Sequence, residues 1–166
     1  MLSNADEALI LELAEVLKAE GLMCATAESC TGGLIGAMLT AVSGSSAWYE
    51  GGVISYSNSV KMGLLGVREQ DLAAVGAVSE PVVRSMALGA CRATGADISC
   101  AVSGVAGPGG GSPEKPVGTV WIGWSLHGET RARKFLFPGD RDEVRAQTAR
   151  EAVKGMLDWV REKKNV

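Results

Sequence analysis

The stretch Thr26-Ala27-Glu28-Ser29-Cys30-Thr31-Gly32-Gly33 decides the fold. An apolar, strand-like run (Leu22, Met23, Cys24, Ala25) enters it, and a helix-like run over residues 34–42 leaves it. Between them lie a carboxylate, a hydroxyl, a thiol, a second hydroxyl and two glycines. A strand that bends sharply into a helix leaves the side chains of the bend at a sheet edge. It also aims the free N–H groups of the helix start at whatever sits there. Such a bend suits a nucleophile beside an anion-stabilising pocket. The plainer reading is that Ser29 or Thr31 only caps the helix.

Working outward, residues 4–21 read as a helix, with Asn4 and Glu7 at capping-box spacing and Gly21 at its end. The first strand spans 22–27, a small-residue helix 31–42 and a second strand 51–57. Asn58 can cap a short helix carrying Lys61, residues 68–74 form another, and 79–93 a longer one with Pro81 in its first turn. A third strand, 97–103, runs into a Gly/Pro-rich loop over 104–116. Strands 117–126 and 130–137 then form a hairpin about His127-Gly128-Glu129, and a last helix starts with Asp140 and Glu143. This order of elements predicts a single domain: an α/β fold, a three-layer α/β/α sandwich with a mixed, mostly parallel sheet.

The composition excludes several classes. With 166 residues, 46% hydrophobic and mean hydropathy +0.14, the chain is globular rather than disordered. No apolar run nears the roughly 18–20 residues of a membrane span, and Asp6 and Glu7 stand where a signal peptide carries Lys or Arg, so a cytoplasmic protein without membrane partners is expected. The net charge of −3 argues against nucleic acid as a partner. It is uneven: residues 1–128 hold 6 basic and 12 acidic side chains, residues 129–166 hold 10 and 7. Cys24, Cys30, Cys91 and Cys100 have no close paired spacing and no nearby His, which argues against a metal site. Small-residue surfaces and apolar Trp48 and Trp159 permit a homo-oligomer.

The one histidine, His127, falls at a hairpin tip, so a Ser29 nucleophile needs another base. Lys61 is the preferred candidate, because it follows a strand end and would reach the same sheet edge if the two strands run parallel. Its amine must then be held well below its free pKa, and the alternative is an ordinary solvated helix lysine. Tyr56 can relay a proton or orient the amine, Glu28 is either a pocket acid or a helix N-terminal acid, and Cys30 is the rival nucleophile. Ser103-Gly104 repeats the strand-into-small-residue pattern, and Gly107 to Gly111 can form an anion nest. Arg141 and Arg145 share a helix face that can meet a phosphate, or form a surface ion pair with Asp140 or Asp142.

Several motifs together resemble the CinA C-terminal domain family. They are the opening stretch, Gly44-Ser45-Ser46-Ala47-Trp48, Tyr56-Ser57-Asn58, Gly76-Ala77-Val78-Ser79-Glu80-Pro81-Val82, Ser103-Gly104-Val105-Ala106-Gly107-Pro108, Lys115-Pro116-Val117-Gly118-Thr119-Val120, and Gly139-Asp140-Arg141 with Arg145. Larger members add an N-terminal molybdopterin-binding-like domain; this chain is similar to the stand-alone form. The resemblance implies hydrolysis of the carboxamide of nicotinamide mononucleotide by a Ser–Lys site, with no metal and no cofactor. Carried over, it makes Ser29 the nucleophile, Lys61 the base and Tyr56 an assisting hydroxyl. Substrate contacts are then expected from Glu28, Cys30, Thr31, Gly32, Gly33, Ser103, Gly104, Ala106, Gly107, Arg141 and Arg145. The rival class is a binding module for nucleic acid, marked by steep salt-dependent affinity without turnover.

Overall fold

Alternation along the first strand sets the architecture. In β1 (Cys24–Glu28), Cys24 packs into one apolar cluster while Ala25 and Ala27 pack into another, on opposite faces of one sheet. The computed structural model describes residues 2–166. Its elements are α1 (Asn4–Glu20), β1, α2 (Leu34–Thr40), β2 (Tyr49–Ile54), α3 (Asn58–Leu65), α4 (Glu69–Val75), α5 (Glu80–Thr94), β3 (Ile98–Gly104), β4 (Thr119–Leu126), β5 (Glu129–Leu136) and α6 (Arg141–Lys164). The element order is the one read from the sequence, with a single 3-10 turn, Ser45–Ala47, added.

The sheet runs β2-β1-β3-β4-β5. β1 is parallel to both β2 and β3, whereas β3–β4 and β4–β5 are antiparallel. The sheet is therefore mixed as expected: β2, β1, β3 and β5 run one way and β4 alone runs against them, because the late hairpin joins one edge. One face is covered by α1, α2 and α6, through Ile10, Leu13, Leu39, Val153 and Met156 among others. The other is covered by α3 and α5, with Leu72 of α4 packed beside them. Trp48 and Trp159, read above as apolar surface open to self-association, are core residues only 1% and 2% exposed.

Local chemistry explains the boundaries that moved. α1 is capped by Ser3, whose hydroxyl accepts from Asp6 N, rather than by Asn4. Ser57, not Asn58, caps α3 by accepting from Val60 N. α2 begins at Leu34, three residues later than the spacing suggested, because Gly32 and Gly33 sit at φ +57° and +106°, outside the right-handed helical region. α6 has the capping box expected from Asp140 and Glu143. α3 and α5 meet where a Cβ on Gly89 would lie 2.2 Å from Leu65 O, a contact that seats α3 against α5.

Candidate active site

Parallel pairing carries β1, β2 and β3 to a common C-terminal edge. Ser29 N donates to Val102 O at 3.1 Å, extending β1 along β3 by one residue. On the other side Ser55 N donates to Glu28 O at 2.8 Å, which draws the end of β2 against the bend. The chain then enters α3, whose first turn brings Lys61 back over that edge.

There Lys61 Nζ lies 2.9 Å from Ser29 Oγ, 2.7 Å from Ser55 O and 3.0 Å from Tyr56 O. Lys61 is 1% exposed and Ser29 8%. A carbonyl can only accept, so the two carbonyls hold two amine hydrogens. The third tetrahedral position of the nitrogen, N–H when charged and lone pair when neutral, is left facing Ser29. Among the described residues no carboxylate pairs with Lys61, and burial pushes its pKa down from the ordinary 10.5, opposed only by a charge interaction with Cys30. This is the arrangement of a hydroxyl beside an amine that can take its proton.

Glu28 serves the bend rather than a pocket. Its carboxylate points to the α2 side, where Oε1 accepts from Thr31 Oγ1 (2.6 Å), Gly33 N (3.2 Å) and Ile35 N (2.9 Å), and Oε2 from Gly36 N (3.0 Å). Gly33 N is thus removed from the set of free donors, and Gly32 N is occupied by Ser29 O. The N–H groups of Cys30 and Thr31 donate to no other residue among those described. Cys30 is buried, and burial pushes its thiol up to about 12, which opposes formation of a thiolate nucleophile.

Three further expectations come out differently. The Tyr56 side chain is 64% exposed, and only its carbonyl reaches Lys61. Arg145 comes from α6, on the far side of the sheet from α3, and donates to Cys30 O (3.2 Å) and Thr31 O (2.9 Å). Arg141 likewise donates to Gly107 O at 2.8 Å. The two guanidinium groups therefore brace the two loops from behind instead of opening toward Lys61. Ser103 aligns beside Ser29, 2% exposed, and its hydroxyl bonds to no described residue; Gly104 is the last residue of β3, with Ala106 and Gly107 buried after it. The Ser55 and Tyr56 carbonyls were not foreseen, since no side-chain pattern marks a main-chain acceptor.

A family model for the CinA C-terminal domain matches residues 6–160. The chain belongs to the CinA C-terminal domain family. A protein of Escherichia coli (strain K12) named nicotinamide-nucleotide amidohydrolase PncC is 51% identical over 143 residues, covering 86% of this chain and 87% of that one. A CinA-like protein of Akkermansia muciniphila is 48% identical over 157 residues; the match takes in 94% of this chain but spans only 37% of that protein's length. Among solved structures, the competence/damage inducible protein CihA of Agrobacterium tumefaciens superposes with a TM-score of 0.92 at 39% identity, covering 97% of this chain and 98% of that one. The CinA C-terminal fold is thus the three-layer sandwich with a mixed sheet described above. Among the described residues no helix is long and apolar enough to cross a membrane.

Proposed function

We propose that this chain hydrolyses the carboxamide of nicotinamide mononucleotide to nicotinate mononucleotide and ammonia, a step of the pyridine nucleotide cycle, with Ser29 as nucleophile and Lys61 as general base. The observation that carries the reading is the buried amine held by two carbonyls and aimed at Ser29 Oγ from 2.9 Å. The name of the E. coli relative supplies the substrate.

The chemistry follows from that geometry. Neutral Lys61 accepts the Ser29 proton as Oγ bonds to the carboxamide carbon. The oxygen of the tetrahedral intermediate takes up negative charge, and the N–H groups of Cys30 and Thr31, which donate to no other described residue, lie in the same turn to receive it. Lys61 returns its proton to the departing nitrogen, the C–N bond breaks, and ammonia leaves an ester on Ser29. Water then attacks the ester, with Lys61 again as base, and releases the acid and the Ser29 hydroxyl. Each step uses groups of the chain and one water. The test is an ammonia-release assay with nicotinamide mononucleotide beside free nicotinamide. Release from the mononucleotide supports the reading; none from it, under conditions where the protein is folded, rejects it.

A further inference from the structure

Two of the sequence motifs take no part in the Ser29–Lys61 chemistry, yet they meet. Gly76-Ala77-Val78-Ser79-Glu80-Pro81-Val82 runs from the end of α4 into α5, and Lys115-Pro116-Val117-Gly118-Thr119-Val120 runs from the long loop into β4. Between them lies a cavity of about 500 Å³ whose lining includes Val75, Ser79, Pro81, Lys115 and Trp121.

The cavity lies on the same face of the sheet as Lys61. Trp121 packs against the cluster formed by Ala25, Ala27, Leu65 and Met86, the α3–α5 side. Register then gives its distance from the nucleophile. Ser29 follows Glu28, which pairs with Val102, and Ser103 pairs with Trp121, so Ser29, Ser103 and Trp121 form one row across three strands. Two strand spacings make about 10 Å. That is comparable with the length of a pyridine mononucleotide from its carboxamide to its 5′-phosphate.

The charges agree with that direction. Lys115 Nζ donates to Val75 O, which leaves two N–H donors. Glu80, at the rim, is held by Arg84 at 2.8 Å; Glu114, also at the rim, is exposed. Arg141 and Arg145 are directed at loop carbonyls on the opposite side of the sheet.

We infer that this cavity is the subsite for the ribose 5′-phosphate end of the substrate, with the Lys115 ammonium as the phosphate's counter-charge, Trp121 as the apolar wall beside the ribose, and the Ser103 hydroxyl beneath the ring between them. This rests on the reaction proposed above and makes Lys115 a specificity-determining residue for a phosphorylated riboside amide.

The experiment compares nicotinamide mononucleotide with nicotinamide riboside on the unaltered protein, Lys115→Ala and Lys115→Arg. Binding of both compounds to Ser29→Ala and Ser29→Ala/Lys115→Ala is measured by calorimetry, so that turnover is not needed. The expected result is a rise of about tenfold or more in KM for the mononucleotide in Lys115→Ala, with kcat little changed, no comparable effect on the riboside, and recovery in Lys115→Arg. Mononucleotide affinity should fall by the same factor in the double variant. Equal losses on both compounds would show that Lys115 only ties the loop to Val75 and would overturn the inference, as would unchanged KM and affinity, or no mononucleotide binding at all. If the unaltered protein hydrolyses neither compound, the reaction assignment fails, and the calorimetry still decides the subsite.

Discussion

Replacing Lys61 by Met separates the amine's chemistry from its packing. Met has a similar reach and no charge, and the site is 1% exposed, so the side chain can stay where it is. Burial pushes the Lys61 pKa below 10.5 in the folded protein. Between that lowered value and 10.5 the unfolded chain therefore binds more protons than the native one, and stability rises with pH. The cost of burying the ammonium is complete below the folded pKa and gone above the unfolded one. Each unit of lowering corresponds to about 1.4 kcal/mol. The stability of the unaltered protein minus that of Lys61→Met should accordingly climb by about 1.4 kcal/mol per unit across that window. The Cys24 and Cys30 thiols, raised to about 12 by burial, act in the opposite sense above pH 9, where the unfolded chain loses their protons. Cys24 cancels in the difference; Cys30, whose charge couples to that of Lys61, cancels only below pH 9, where it keeps its proton in both states. Guanidinium unfolding at a series of pH values measures it, and ammonia release should fall by about 10²–10⁴ in Lys61→Met. A stability difference that stays flat with pH, or ammonia release within a few-fold of normal, would refute the assignment of a depressed, proton-accepting amine.

Three other substitutions probe the supports of the site. Glu28→Gln keeps one acceptor oxygen for Thr31, Gly33 and Ile35 but sets an amide NH₂ against Gly36 N, so denaturant unfolding should show a loss of about 1–3 kcal/mol, with slower ammonia release as the bend loosens. Gly89→Ala drives a Cβ to 2.2 Å from Leu65 O; it should cost about 3 kcal/mol in the same assay and reduce activity by displacing α3 and Lys61. Cys30→Ala should retain ammonia release within a few-fold of normal, since the proposed reaction gives its buried thiol no role.

What was legible in the sequence is what local chemistry dictates. The strand-to-helix bend, the element order and the capping box of α6 follow from periodicity and cap residues. The meeting of Ser29 with Lys61 could be proposed because both follow strand ends, and parallel pairing of β1 with β2 supplies the rest. The illegible parts depend on which side of the sheet a residue reaches. Glu28 lies next to Ser29 in sequence, yet strand alternation turns it to the α2 side, where it becomes a cap. Arg141 and Arg145 share a helix face as their spacing implies, but that helix lies on the far layer, so they grip loop carbonyls. Tyr56 follows the end of the edge strand β2, and its side chain stays in solvent. Trp48 sits in polar sequence surroundings and is nonetheless core, because packing against distant elements leaves no local trace, whereas Trp159 extends the buried stripe of Met156 and Val160 on α6.

In the proposed reaction the Ser29 hydroxyl is the atom that attacks the carboxamide. Ammonia release from nicotinamide mononucleotide by Ser29→Ala tests it most directly, with circular dichroism confirming the fold. The predicted result is a fall of about a thousandfold or more while the mononucleotide still binds. A Ser29→Ala protein that releases ammonia within tenfold of the unaltered chain would contradict the account.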